Sequence, residues 1–341
     1  MKNKNKFVVL LALLAALALL ASACGSDNGD SDGDAGSGDT ESSGDSFRIA
    51  IVSPSAKNDV AFSQSIFDAV TRVGENRSIE VDVSDGLFVV EDAAAAIRGY
   101  AEDGYDLVIA HGSQYGAPLQ EIAPEFPEVA FAWGTALDTF GLDNVSSYSV
   151  RSDEGAYVLG ALAAEISESK NIGIVGPIEV GDAKLYVDGF AAGAVAQDPS
   201  VDVNINYIES FADVQLAQEA ATAFVNNGAD VLTGTAQMVV GATGVASAEG
   251  VPWFGTQSNQ TTLGPDIVVA SQVYHWEIVL EDIIAGVENG DLGGESHILT
   301  LENEGLVLEF NEDYALDPSL QELADELVEG IVSGTITTGI E

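Results

Sequence analysis

Apolar positions along the chain fall into short runs separated by stretches with helical spacing. Phe47–Ser53, FRIAIVS, reads as a buried strand. Ala61–Val73 carries Phe62, Ile66, Ala69 and Val73 on one helical face. Strand Ile79–Val83, helix Val90–Glu102, strand Leu107–His111, helix Leu119–Ala123 and strand Val129–Trp133 follow, with an extended piece at Val145–Val150. A second series repeats the scheme with helix Glu154–Ser167, strand Asn171–Val175, helix Leu185–Ala196 and strand Val203–Ile208. It continues through helix Val214–Asn226, strand Asp230–Thr235, helix Val239–Glu249 and strand Pro252–Thr256. The remainder departs from strict alternation. Ile267–Tyr274 is extended, Trp276–Glu288 helical, Ile298–Glu309 extended with a turn near Gly305, and Leu320–Val332 helical. Short apolar runs alternating with helices predict an α/β fold, here two doubly wound parallel-sheet lobes joined by a hinge. The chain is expected to cross between lobes near Arg151, near Tyr274 and near Gly293. Lobe 1 is then 47–150 plus 275–293, and lobe 2 is 151–274 plus 294–341. Ligands in such sheets bind beyond the carboxyl ends of the strands, which here border the cleft between lobes.

The first 46 residues have none of this periodicity. Lys2, Lys4 and Lys6 precede the apolar segment Phe7–Leu20, and the small residues Ala21, Ser22 and Ala23 lead into Cys24, the only cysteine in the chain. That is the three-part pattern of a signal peptide, 1–23, and its apolar part is short against the ~20 residues of a membrane span. A cysteine directly after the small-residue site resembles the bacterial lipobox, although Ala21 stands where Leu is preferred. Cys24 is therefore expected to be acylated, placing the protein, exported, on the outer face of the cytoplasmic membrane. Residues 24–46, rich in Gly, Ser and Asp, read as an acidic tether. Asp30, Asp32, Asp34 and Glu41 match calcium-loop spacing, but Ala35 occupies the position that needs glycine, and no metal is expected.

The formal charge of −44 is extreme, and no Lys or Arg follows Lys184. Nucleic-acid binding, which depends on Lys and Arg at phosphates, is excluded as a function class. The acid excess reads as a solvated surface suited to salt or solubility. Catalytic signatures are missing. The three histidines, His111, His275 and His297, form no HExxH pair, and there is neither a phosphate loop nor a nucleophile elbow. Gly241–Gly244, GATG, lacks dinucleotide spacing. No cofactor is expected, and enzymatic activity, such as hydrolysis on the same fold, is disfavoured. Polar and aromatic residues instead gather at strand ends. Asp59, Phe62 and Gln64 follow the first strand, and His111, Ser113 and Tyr115 the third. Phe211 and Asp213, Thr235 and Gln237, and Gln257 and Asn259 follow strands of lobe 2, while Tyr274 and Trp276 lie on the second crossing. Each has a plain structural reading as a cap, turn or core aromatic, and Asp213 looks like an N-cap. Together they line one cleft, where an aromatic from each lobe can sandwich a flat ring.

At these residues the chain resembles a known family. NDVAFSQSIFDA (Asn58–Ala69) is similar to the D-K-S-F-N-Q segment of the basic membrane protein family, the PnrA-like purine nucleoside receptor lipoproteins of ABC importers. IESFADVQLAQEAATAFVNNGADVLTGTA (Ile208–Ala236) and FGTQSNQTTLGPDIVVASQV (Phe254–Val273) resemble two later stretches of that family. The resemblance implies a type I periplasmic-binding-protein fold and a lipid-anchored, monomeric receptor that captures a purine base or nucleoside. Such a receptor hands its ligand to permease and ATPase subunits. It also implies that Phe62 and Phe211 sandwich the purine and that Asp59 accepts from its ring nitrogens or amino groups. The family often has Asp at Gln257 and Asn259, Lys at Tyr274, and Asn at Ser63. Those departures favour a free base or another small flat ligand over a nucleoside. The alternative role is a ligand-sensing surface lipoprotein that acts through a signalling partner.

Overall fold

The computed structural model describes residues 46–340 apart from Asn76. The signal peptide, Cys24, the tether and the calcium-like aspartates lie outside the described residues. In chain order the first series is β1 (Phe47–Val52), α1 (Phe62–Gly74), β2 (Ile79–Ser84), α2 (Val90–Glu102), β3 (Leu107–His111), α3 (Gly116–Ile122), β4 (Ala130–Gly134) and β5 (Val145–Val150). The second is α4 (Ser152–Ile166), β6 (Asn171–Gly176), α5 (Gly181–Gln197), β7 (Asp202–Tyr207), α6 (Val214–Asn226), β8 (Val231–Gly234), α7 (Val239–Glu249), β9 (Trp253–Gln257) and β10 (Val268–Tyr274). The chain ends with α8 (Glu277–Glu288), β11 (Ser296–Leu299), β12 (Leu306–Phe310) and α9 (Pro318–Val332).

Two six-stranded sheets result, in the orders β11-β5-β4-β3-β1-β2 and β12-β10-β9-β8-β6-β7. Every pairing is parallel except β10 with β12. The central strands have no exposed face, as β3 (LVIAH) and β9 (WFGTQ) illustrate, because helices cover both sides. Side chains alternate across the strand, so Ile49 and Ile51 enter one core while Ala50 and Val52 enter the other. Lobe 2 has the same two-sided build, with Ile172 and Ile174 on one face and Val175 on the other. The outer strands β2 and β7 are largely exposed and carry Glu80, Asp82 and Asp202, charges that discourage further strand addition.

The chain passes from β5 to α4 at Arg151 and from β10 to α8 at Tyr274–His275. The third crossing does not lie near Gly293. β11 pairs with β5 in the lobe-1 sheet, so residues 294–299 belong with lobe 1 and the crossing follows Leu299. Gly293 marks a close approach instead of a crossing. A Cβ there would sit 2.5 Å from the Val145 nitrogen, and Gly294 N–H donates to the Val145 carbonyl at 2.8 Å. The glycines let the chain lie against β5 and start β11. The true crossing is the turn 300–305, where Asn303 Oδ1 accepts from Thr300 N and Gly305 N. Arg151 N donates to the Leu299 carbonyl at 2.9 Å, and His275 N to the Gly305 carbonyl at 2.8 Å, so the three crossings are bonded to one another. α9 packs Val328 and Ile331 against the cores of both lobes.

Candidate functional site

A cavity of about 120 Å³ lies between the carboxyl ends of the two sheets. Lobe 1 lines it with Pro54, Phe62, Phe88, Ser113, Gln114 and Thr135. Lobe 2 supplies the turn Val180–Ala183 together with Phe211, Ala236, Gln237 and Gln257. Three lining residues that are not glycine sit in the left-handed region, Thr135 (φ 58°), Ala236 (φ 70°) and Gln257 (φ 74°), at or just after the ends of β4, β8 and β9. Such backbone costs of order 1–3 kcal/mol per residue and persists where surrounding structure enforces it, typically at ligand sites.

Phe62 is held from behind by a buried aromatic column. Its ring stacks on His111 with centroids 4.2 Å apart and planes 28° apart, and the edge of Trp276 meets both His111 and Tyr148. The carbonyl of Phe62 can only accept, so His111 Nε2 carries the proton and donates to it at 3.2 Å. His111 Nδ1 then accepts from the Tyr148 hydroxyl at 2.7 Å. Ser65 Oγ donates to the same Phe62 carbonyl and accepts from Trp276 Nε1. Burial holds His111 neutral, driving its pKa down to about 3, and pushes the Tyr148 hydroxyl well up. The column therefore fixes a ring position and supplies no proton near neutral pH.

On the lobe-2 wall, Asp182 is half-buried in the first turn of α5, and its backbone carbonyl accepts from Ser152 Oγ at 2.6 Å. Burial raises its carboxyl to about 6, against the lowering effect of its own and Ala183's backbone N–H groups. Among the described residues it is the only carboxylate in the lining, which has no Lys, Arg or His. Gln257 is 2% exposed, and its Oε1 has no hydrogen-bond partner. Among the described residues no cluster of three or more His, Cys, Asp or Glu is placed to hold a metal ion.

The profile of the family described as ABC transporter substrate-binding protein, PnrA-like, matches residues 47–338. The chain belongs to this family. A CD4+ T-cell-stimulating antigen of Listeria innocua is 25% identical over 98% of both chains. A purine-binding protein of Brucella abortus is 30% identical over 54% of this chain and 52% of its own. Among solved structures, an ABC transporter solute-binding protein from Conexibacter woesei superposes with a TM-score of 0.72 at 25% identity, covering 86% of this chain and 98% of that one. The fold is thus that of the solute-binding proteins, and this PnrA-like chain belongs with binders, not enzymes. Among the described residues no helix is long and apolar enough to cross a membrane.

In this PnrA-like chain the cleft gathers Phe62, Ser113, Phe211, Gln237 and Gln257 from the sequence-derived candidates. The other candidates lie elsewhere. Asp59 is committed to the loop before α1: its carboxylate accepts from Ala61 N, Ser63 N, Gln64 N and Ser55 Oγ at 2.7–3.0 Å, which occupies its lone pairs. It is not in the lining, and in this structure it caps the loop before α1. Gln64 accepts from Val60 N and donates to Asp68 on α1. His111 and Trp276 stand behind Phe62, and Tyr274 is packed into the core beneath them. Thr235 is fully buried at the end of β8, with its hydroxyl unpartnered. Asn259 bonds Glu309 at 2.6 Å on an exposed loop. Tyr115 is buried, donating to the Leu87 carbonyl, and Asp213 is an N-cap, accepting from Leu216 N at 2.9 Å. Phe88, Gln114, Thr135 and Asp182 are lining residues outside the candidate set. Phe88 and Asp182 follow β2 and β6, so the strand-end rule applied to those two strands marks them.

Proposed function

We propose that the protein is the lipid-anchored receptor of an ABC importer and that it captures a purine base, or a similarly small flat heterocycle, between Phe62 and Phe211. The observation that carries this reading is that aromatics from both lobes, Phe62 and Phe88 from lobe 1 and Phe211 from lobe 2, line a single inter-lobe cavity, with Ser113, Gln114, Gln237 and Gln257 around them to bond a ring edge. The cavity is small beside the ~300–1,000 Å³ of drug-sized sites, which favours a base over a nucleoside. A relative named as purine-binding supports the ligand class. Lobe closure on the ring presents a single conformation to permease and ATPase subunits. Cys24 serves as the acylated anchor. Calorimetry with a nucleobase and nucleoside panel tests the ligand. Binding by the wild type, weakened at least tenfold in Phe62→Ala, is the expected outcome, and silence across the panel sinks the reading. For the anchor, Cys24→Ser protein is expected in the soluble fraction and the wild type in the membrane fraction.

A second reading, a sensor acting through a signalling partner, draws on a relative named as a transcriptional activator in Bacillus subtilis, 24% identical over 80% of this chain. Ligand-dependent uptake that survives deletion of the receptor, together with a changed expression profile, favours that reading.

A further inference from the structure

We infer that Asp182 forms an acceptor wall on lobe 2 that selects a ring bearing two adjacent N–H donors, the guanine-type edge, and turns away phosphorylated ligands. This rests on the cleft being a purine-like site, as proposed above. Gln257 also lines the cavity, but its Oε1 is closed off from the cavity surface and takes no part in the selection. Asp182 lines the same cavity as its only carboxylate among the described residues. When ionised, its side chain accepts and cannot donate.

Donor patterns separate the purines. A guanine edge offers N1–H beside the exocyclic N2 amino group, a parallel pair that one carboxylate accepts together. Hypoxanthine lacks the amino group and loses one of those bonds. Adenine sets its amino group beside a bare N1 lone pair, which repels an ionised carboxylate. A phosphate meets no Lys or Arg in the lining, only Asp182 and a chain of net charge −44.

The groups around Asp182 leave it as the one that titrates near neutrality. Tyr274 of β10 faces it with a hydroxyl driven far up by burial. Lys184, on the same helix, is held by Asp188 at 2.5 Å and Glu179 at 3.4 Å. His111 stays neutral behind Phe62.

The test is calorimetry on the full chain with the base and nucleoside of guanine, hypoxanthine and adenine, plus guanosine monophosphate, at pH 5.0 and 7.5. The expected order at pH 7.5 is guanine-type tightest by tenfold or more, with no measurable heat for the monophosphate. Asp182→Asn should lose at least tenfold for the guanine type and under threefold for hypoxanthine. The wild type should weaken for the guanine type at pH 5.0, and the variant should not. Phe62→Ala, with an unchanged circular dichroism spectrum, should weaken every ligand alike. If Asp182→Asn keeps the wild-type ranking and pH profile, or if adenine or the monophosphate binds tightest, the acceptor wall is overturned while the purine site stands. Silence of the wild type toward every purine overturns both.

Discussion

At the residue scale, two titrations of opposite sign, at the buried His111 and the half-buried Asp182, shape the acid behaviour of the molecule. His111 is held neutral to about pH 3, while an unfolded histidine takes its proton near 6.5. Its depressed value gives stability that is present above 6.5 and lost as pH falls toward 3, at up to ~1.4 kcal/mol per pH unit. Asp182, raised to about 6, works the other way: its contribution is complete below about 4 and is lost as pH rises through 6. The two slopes oppose each other between about pH 4 and 6. Urea unfolding across pH 4.5–7.5 is therefore expected to show a steeper fall in stability below pH 6 in Asp182→Asn than in the wild type. The variant should also be the more stable of the two at pH 7.5. Single residues were also where the sequence was least legible. Residue type marks Asp59 as an acceptor, but only the folded loop reveals that Ser55, Ala61, Ser63 and Gln64 already use its lone pairs. Phe62 reads from the sequence as an aromatic at the start of a helix after a parallel strand, and the fold places it in the cavity lining.

At the element scale, hydrophobic period alone located nearly every strand and helix, because each buries an apolar face of fixed spacing. α2, β3, β5, α6 and α7 coincide with their expected ends. The apolar pattern starts α5 at Leu185, four residues after its observed start at Gly181, because the first turn carries Gly and Asp and shows no apolar period. Asp182 therefore falls outside the helix that the pattern predicts. The contact between α4 and α5 depends on missing side chains. A Cβ at Gly193 would overlap the Tyr157 carbonyl, and one at Gly160 would overlap that of Phe190. Backbone cannot retreat as a flexible side chain can, so the helices must separate. Gly193→Ala is expected to cost about 1–3 kcal/mol, seen as a lowered midpoint in urea. Ligand ranking should be unchanged, since this face of α5 points away from the cleft turn.

At the scale of the whole molecule, the two lobes touch through a small latch. Ser258 Oγ donates to the Ala61 carbonyl at 2.9 Å, and Gln260 Nε2 reaches the Val60 carbonyl at 3.4 Å. Val60 itself stands at φ 57°. Ser258→Ala removes one bond of about 1 kcal/mol. Apparent ligand affinity should drop about fivefold as the closed population falls, with a larger radius of gyration by solution scattering. A net charge of −44 predicts that the thermal midpoint rises as salt screens self-repulsion, measured by calorimetry between 0.1 and 2 M NaCl. Two lobes and a cleft were legible in the alternating pattern. The third crossing was not, because a pair of glycines reads equally well as a link or as a close approach. Its true position has a consequence for how the protein is made. β11 completes the first sheet only after every parallel strand of the second has been synthesised, and β12 completes the second sheet later still. A chain emerging from the ribosome thus holds two unfinished sheets until Leu299 has appeared, and one until Phe310. Any truncation before Leu299 leaves both with a bare edge, so no lobe can be cut out as one continuous segment and expected to fold alone.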